Sequence, residues 1–294
     1  MRTNTPFPPV STGQIAEFMC ELADNSERPQ SVLKSALAAI SCLYKVKAAD
    51  DISQRREVHD MKDALIKCAT TRPMERSKVM PVKPFYKLFK SWPKNEDLSI
   101  KHLRLKVITL MALTLMLRPS DIAPKGTHVI GTDKTKYVFS TDNIKQLADG
   151  GLMVTFFGTK NDTSRSGFEV HLPPSSDAEI DPCTALLCYI ARTDDIRPLA
   201  DKPVFLTLRK PFKAIDASTA SDIMAESISL AGLGGQGYGP KCFRPTGATV
   251  AVETKHDPAD IMKTGRWKTA SVFFEHYVHA KNKETYTDSL LGHD

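Results

Sequence analysis

Residues 265–279, GRWKTASVFFEHYVH, place a tryptophan and a tyrosine ten residues apart, with two phenylalanines between them. Phe273 and Tyr277 are four residues apart, as are Phe274 and Val278, and side chains at this spacing contact one another on a helix. The stretch therefore predicts a short helix with an aromatic face. The tyrosine is either a core side chain or a phenol presented to a functional site.

The composition is that of an ordinary globular protein with room for one large domain or two of average size. The chain has 294 residues, of which 41% are hydrophobic and 25% charged. Its longest apolar run, 107–117, contains two threonines and is far shorter than the roughly 20 residues that cross a bilayer. The first residues lack the apolar stretch of a secretory signal, and the six cysteines are scattered. We therefore expect an intracellular protein without a membrane span, a disulfide or a metal site.

The net charge of +6 is modest, but it is unevenly distributed along the chain. Residues 67–94 contain eight basic residues and one acidic residue, a net charge of +7 that leaves the rest of the chain at about −1. A concentrated positive strip on a nearly neutral body is typical of a surface that binds a phosphate backbone. Within this strip we expect contacts to such a backbone from Arg72, Arg76 and Lys78. The alternative is a solvated, lysine-rich linker.

The sequence predicts two domains, 1–76 and 77–294. In the first, Ile15, Met19 and Leu22 follow helical spacing, which indicates a small helical bundle. Three prolines at the boundary, between residues 73 and 84, break helical continuity.

Helices are predicted on both sides of a β-hairpin in the second domain. The β-branched and aromatic stretch 151–160, GLMVTFFGTK, is joined by a polar turn to FEVHLPP at 168–174, which predicts the hairpin. Before it, LRLKVITLMALTLMLRPSDIA at 103–123 predicts a buried helix that ends near Pro119. The expected fold class is mainly α with a small β-sheet.

Basic residues recur in separate motifs that precede the aromatic stretch. LRPSDI contains Arg118 with Asp121 three residues later, GTKND places Lys160 at the mouth of the hairpin, and KCFRPTGAT contains Lys241 and Arg244. Each residue alone has an ordinary explanation, such as a helix cap, a solvated turn or a surface charge. Their order and intervals together are hard to reach by accident.

In this order the motifs resemble those of the tyrosine recombinase, or phage integrase, family. The family has an arginine followed by an acid, a hairpin lysine, a His-x-x-Arg pair, a His or Trp, and a C-terminal tyrosine. The matching residues are Arg118, Lys160, Lys241, Arg244, Trp267 and Tyr277. The resemblance spans most of the chain, and GRWKTASVFFEHYV is especially similar to recombinases of eukaryotic mobile elements such as DIRS-like and Crypton elements. Lys241 stands where the family usually has histidine.

The resemblance implies a site-specific recombinase that cleaves and rejoins DNA through a covalent 3′-phosphotyrosine, without metal or nucleotide cofactor. Arg118 and Arg244 would clamp the phosphate, whose transition state carries additional negative charge. Lys160 would protonate the leaving 5′ hydroxyl. Trp267 would donate its indole N–H to a phosphate oxygen, and Tyr277 would attack.

The remaining implications concern supporting residues and partners. Asp121 would orient Arg118 or its helix, and Lys241 would donate to the phosphate in place of histidine. The helical N-terminal domain corresponds to the family's core-binding domain, which clamps duplex DNA together with the α+β catalytic domain. The expected assembly is a homotetramer on paired sites of double-stranded DNA, inside the cell and in the nucleus if the host is eukaryotic.

Two other classes of function are possible. A domesticated, catalytically inactive DNA-binding protein could keep the same fold, although a decayed copy is expected to lose members of the motif set. A metal-dependent nuclease or transposase would need clustered carboxylates, and His276 and His279 lack further ligands nearby in the sequence.

Overall fold

The computed structural model describes residues 10–26, 29–47, 52–68, 78–123, 127–130, 133–136, 139–158 and 166–278. The chain divides into two compact units, Met1–Glu75 and Arg76–Asp294. None of the helices in the described residues is both long and apolar enough to cross a membrane.

Within its described residues, the first unit is a helical bundle. Its helices are α1 (Thr12–Asp24), α2 (Pro29–Lys47) and α3 (Arg56–Cys68). A capping box between Ser11 and Gln14 begins α1. The side chains that form its hydrophobic core are Ile15, Met19, Leu33, Leu37, Ile52 and Val58.

The second unit is mainly helical and carries a small antiparallel sheet, which confirms the predicted fold class. Its helices are α4 (Lys83–Lys90), α5 (Ile100–Thr114), α6 (Pro119–Ile122), α7 (Pro182–Ala191), α8 (Ala217–Leu230), α9 (Phe243–Glu253), α10 (Pro258–Gly265) and α11 (Ala270–His276). Its strands are β1 (Thr127–Ile130), β2 (Asp133–Lys136), β3 (Ile144–Gln146), β4 (Leu152–Phe156) and β5 (Phe168–Leu172). The first two strands pair with each other, and the other three form a sheet in the order β3-β4-β5.

Helix α5 is the central element of the second unit. It is buried from Leu103 to Leu113 and packs against α7, α8 and α9. A helix covered on all sides is apolar on all sides, which explains the nearly continuous apolar sequence. Its two buried basic side chains are hydrogen-bonded: Lys106 Nζ donates to Asn95 Oδ1 at 2.8 Å, and Arg104 donates to a backbone carbonyl.

The end of α5 differs from the prediction. The helix ends at Thr114 and not near Pro119, because Met116 adopts a positive φ of 53°. The N–H of Leu117 bonds back to the last turn at 3.1 Å, as in a Schellman motif. Arg118 is consequently the N-cap of the separate short helix α6.

The predicted hairpin is present as β4 and β5. Leu152 pairs with Leu172, and Phe156 pairs with Phe168. Alternate residues of β4 are buried, as expected for a strand with one face on the core. Lys160 belongs to the connection between the two strands and lies outside the described residues.

Candidate active site

Segments of the second unit that are far apart in sequence line one cleft with a volume of about 780 Å³. Arg118 comes from the start of α6, Lys241 and Arg244 from the start of α9 and the turn before it, and Tyr277 from the residue after α11. The first turns of α8 also line the cleft. The fold therefore brings together four residues that the sequence motifs singled out.

Arg118 is held at its backbone and contacts the tyrosine with its side chain. Its backbone N–H donates to Asp121 Oδ2 at 2.9 Å. Its Nη2 donates to the Tyr277 hydroxyl at 3.4 Å. Asp121 thus fixes the start of α6, and the guanidinium remains directed at the tyrosine.

Arg244 is only 2% exposed and is held by carbonyls and rings. Its Nη1 donates to the carbonyl of Met116 at 2.9 Å, and its Nη2 donates to the carbonyl of Gly265. Its Cζ lies 4.0 Å from the centroid of the Trp267 ring and 5.2 Å from that of Tyr277, within cation–π range. None of these partners cancels the positive charge.

Trp267 packs against Arg244 and the aromatic helix. Its ring centroid lies 4.9 Å from that of Phe273 and 5.0 Å from that of Tyr277. The indole Nε1 is buried and has no hydrogen-bond partner among the described residues, so its bond to a phosphate oxygen stays a prediction. Gly265 permits the close packing, because a Cβ there would lie 1.8 Å from the indole Cζ3.

Tyr277 follows directly after α11, and its N–H donates to the carbonyl of Phe273 at 3.0 Å. Phe273 is fully buried and anchors the helix, whereas Phe274 is 46% exposed and anchors little, contrary to the predicted aromatic face. Burial alone would raise the pKa of Tyr277. The hydrogen bond and charge of Arg118, followed by the charge of Arg244, outweigh burial and hold that pKa below its ordinary value.

Arg266 is a charged residue of the site that the sequence analysis missed. Its Nη2 lies 3.0 Å from Asp121 Oδ2, and both side chains are buried. Its Cζ lies 5.2 Å from the ring centroid of Phe156 on β4. In the sequence, Arg266 is only recognisable as the arginine between the glycine and the tryptophan of GRW. That pattern does not predict whether the arginine is buried or exposed to solvent.

The other predicted residues differ in what the structure says about them. Lys241 is exposed and lines the cleft. Lys78 is exposed, and its Nζ donates to a backbone carbonyl at 3.2 Å. Lys160, Arg72 and Arg76 lie outside the described residues.

The site carries an excess of positive charge. Arg118, Lys241, Arg244 and Arg266 are offset in part by the carboxylate of Asp121. Burial, followed by the charges of Arg118 and Arg266, lowers the pKa of Arg244 to about 9, which still leaves it protonated at neutral pH. Such a cluster favours a bound anion. Within the described part of the chain, no group of three His, Cys, Asp or Glu side chains could hold a metal ion.

The fold is shared with solved structures of DNA-bound recombinases and integrases. XerH site-specific recombinase in a post-cleavage complex with its palindromic difH substrate aligns with a TM-score of 0.61 at 11% identity, over 97% of this chain and 71% of that one. A lambda integrase dimer on a COC′ core site aligns at 0.53 and 14% identity, over 96% and 84% of the two chains. The Tn1549 transposon integrase with circular intermediate DNA aligns at 0.54 and 10% identity, over 99% and 87%.

These similarities are at the level of the fold. No protein-family model matches the chain, and no curated protein matches its sequence. The predicted tyrosine recombinase fold is confirmed by the solved structures. The similarity to eukaryotic mobile elements stays a prediction.

Proposed function

We propose that this protein is a site-specific DNA recombinase in which Tyr277 attacks a phosphodiester and forms a covalent 3′-phosphotyrosine. The observation that carries the proposal is the contact between Arg118 and Tyr277. The two residues are 159 positions apart in sequence, yet guanidinium and hydroxyl lie 3.4 Å apart at the cleft. A structural tyrosine also finds a hydrogen-bond partner when it is buried, as Tyr189 does, but Tyr277 has an arginine on its hydroxyl at a cleft with further basic residues, which favours a functional role.

The proposed reaction forms a bond between Tyr277 Oη and phosphorus and breaks the bond from phosphorus to the 5′ oxygen. The phenol proton passes to solvent, which costs less because Arg118 holds the pKa of Tyr277 low. Negative charge grows on the non-bridging oxygens in the transition state, where Arg118 and Arg244 would stabilise it. The 5′ oxygen leaves with a proton, for which Lys160 is the proposed donor. Rejoining reverses these steps, so the bond energy is conserved.

The supporting residues have assigned roles in this proposal. Two N–H groups of the Arg244 guanidinium donate to backbone carbonyls, so its other N–H groups can donate to a phosphate oxygen. Trp267 keeps that guanidinium in place by stacking at 4.0 Å. Lys241, which is exposed at the cleft, would donate to the same phosphate.

The proposed partner is double-stranded DNA. In the solved structures, XerH is bound to its difH substrate, the lambda integrase to a core site and the Tn1549 integrase to circular intermediate DNA. We assign DNA binding to the first domain, 1–76, and to Arg72, Arg76 and Lys78. Recombination requires two sites cut on both strands, and each cut uses one tyrosine, so we propose a homotetramer on paired sites of a mobile element.

Covalent capture on DNA tests the proposal. The full chain is incubated with a pool of duplexes that have a randomised central segment and a nick from which the cleaved fragment diffuses away. The wild type is expected to give a protein–DNA adduct that survives denaturation. Tyr277→Phe keeps the ring and removes only the attacking oxygen, so it should bind DNA but form no adduct. Tyr286→Phe, outside the described residues, is the matched control and should retain adduct formation.

The same experiment separates the alternatives. A catalytically inactive DNA-binding protein would retain duplexes from the pool without forming any adduct in the wild type. An adduct that persists in Tyr277→Phe, with the nucleotide mapped by peptide analysis to another residue, would overturn the assignment of the nucleophile.

A further inference from the structure

Arg266 connects two parts of the site that are distant in sequence. Its Nη1 donates to the carbonyl of Thr264 at 3.3 Å, and its Nη2 lies 3.0 Å from Asp121 Oδ2. The same carboxylate oxygen accepts the backbone N–H of Arg118 at 2.9 Å. Arg266 therefore reaches Arg118 through a single oxygen atom.

The backbone at Arg266 has a conformation that usually belongs to glycine. Its φ and ψ are 60° and 43°, and the N–H of Trp267 bonds back to the carbonyl of Met262 at 2.9 Å, as in a Schellman motif. A residue with a Cβ pays a free-energy penalty in this conformation that glycine avoids. Such conformations persist at functional sites, where the surrounding structure holds them. The backbone conformation therefore does not explain why arginine occupies this position, whereas the contacts of its side chain do.

Asp121 depends on Arg266 for compensation of its charge. The carboxylate is completely buried, and its second oxygen, Oδ1, has no hydrogen-bond partner among the described residues. A buried carboxylate left without a counter-charge is strongly unfavourable. It would attract the guanidinium of Arg118, which now donates to the hydroxyl of Tyr277.

We propose that Arg266 is a positioning residue for the strand transfer described above, an inference that rests on that proposed function. By compensating Asp121, it leaves the guanidinium of Arg118 on the tyrosine hydroxyl and available to the phosphate. Arg266 touches neither of the reacting atoms and acts through Asp121 and Arg118.

Two measurements test this role. The first is the rate of adduct formation per folded molecule on a duplex captured from the randomised pool. The second is the pKa of the Tyr277 phenol, measured without DNA by NMR of protein labelled with ¹³C at tyrosine Cζ, with the resonance assigned by its absence from Tyr277→Phe. The charged groups that face this phenol are Arg118 and Arg244. A role confined to stability would change neither quantity in folded protein.

Arg266→Gln keeps a donor for Asp121 and removes the charge. We expect the adduct rate to fall by about tenfold to a hundredfold, since small misplacements of a catalytic group have effects of this size. DNA affinity should stay within about twofold, as for an interaction that matters only in the transition state. The pKa of Tyr277 should rise, because Arg118 leaves its hydroxyl. Arg266→Lys keeps the charge and should recover most of the rate.

A double variant and a matched control complete the test. Asp121→Asn with Arg266→Gln contains no buried charge at this position, so it avoids the unpaired carboxylate that would destabilise the single variant, and both quantities should return toward the wild-type values. Arg104→Gln is the control, because Arg104 is buried to a similar extent in α5 and bonds to a carbonyl away from the cleft. It should change neither the rate per folded molecule nor the pKa of Tyr277.

The outcomes separate this inference from the proposed function. The positioning role would be overturned if Arg266→Gln had the wild-type adduct rate and the wild-type pKa of Tyr277, or if the losses persisted in the double variant. In either case adduct formation by the wild type would still support the proposed function. If the wild type forms no adduct but the pKa of Tyr277 still responds to Arg266, the proposed function fails and the positioning of Arg118 on Tyr277 stands.

Discussion

Replacing Gly265 with alanine tests the contact that supports Arg244. A Cβ at this position would lie 1.8, 2.4 and 2.6 Å from Cζ3, Cε3 and Cη2 of Trp267. Because carbon atoms pack favourably at about 3.5–4.0 Å, the indole would have to move by roughly 1.5 Å or more. It would then withdraw from the guanidinium of Arg244, which lies 4.0 Å from the ring centroid.

The magnitude follows from the two contacts that are disturbed. Overpacking a core typically costs about 1–3 kcal/mol, and a desolvated cation–π contact is worth about 2 kcal/mol. We expect Gly265→Ala to lower the free energy of unfolding of the second unit by about 2–4 kcal/mol, part of each term being recovered by relaxation. For a unit of this size the Tm should fall by roughly 4–16 °C. Thermal unfolding followed by circular dichroism measures the shift, and adduct formation per folded molecule measures the effect on Arg244.

The same substitution in a Trp267→Leu background should have the opposite sign. Gly265 is the last residue of helix α10 and has an ordinary helical backbone, so alanine fits it. Without the ring, alanine should stabilise the protein by about 0.4–1 kcal/mol through the lower entropy of the unfolded chain. Equal destabilisation in both backgrounds would refute the reasoning, because the clash would then not involve the indole.

Three further predictions concern charged groups. Lys241→His should retain activity, because either side chain can donate to the same phosphate oxygen, and loss of strand exchange with intact DNA binding would show that an amine is required. Arg118→Met should raise the pKa of Tyr277, since burial remains while the hydrogen bond and charge that oppose it are lost. The rising limb of adduct rate against pH should therefore move to higher pH, and an unmoved limb would contradict this. The third change replaces Arg72, Arg76 and Lys78 with glutamine. It should flatten the slope of log DNA affinity against log salt concentration by up to roughly 2.7, at 0.9 per phosphate contact, whereas an unchanged slope would indicate a solvated linker.

Periodicity predicted those elements whose sequence is constrained by one buried face. Ile15 and Met19 in α1 are examples, as are the alternating residues of β4. The end of α5 was not predictable in this way, because apolar residues continue past Thr114. The helix ends where Met116 adopts a positive φ. The packing at this point is also close, since a Cβ on Gly247 of α9 would lie 2.3 Å from the carbonyl oxygen of Leu113, and periodicity does not report such a contact.

The candidate site, like the fold, was predicted only in part from the sequence. The order of motifs along the chain predicted residues that the structure brings to one cleft, among them Arg118 and Tyr277. Asp121 was predicted to orient Arg118 or its helix, and it accepts the backbone N–H of Arg118, but the partner of its carboxylate, Arg266, was not predicted. Arg266 and Asp121 are 145 positions apart, and local spacing carries no information on a pair that only the fold brings together. Both carbonyls that accept from Arg244, those of Met116 and Gly265, are likewise brought to it by the fold.

The way in which these charges are held bears on anion binding. Arg244 is fixed by two backbone carbonyls and two aromatic rings, which orient the guanidinium without cancelling its charge. Asp121 pairs with Arg266 and bonds to Arg118 only at the backbone. A phosphate that entered the cleft would therefore not have to displace a carboxylate, an exchange that would cost the free energy of the existing ion pair. Burial is the main cause of the lowered pKa of Arg244, and repulsion from Arg118 and Arg266 is the next. A bound phosphate would relieve that repulsion, so the arrangement that is unfavourable in the unbound protein would favour the bound state.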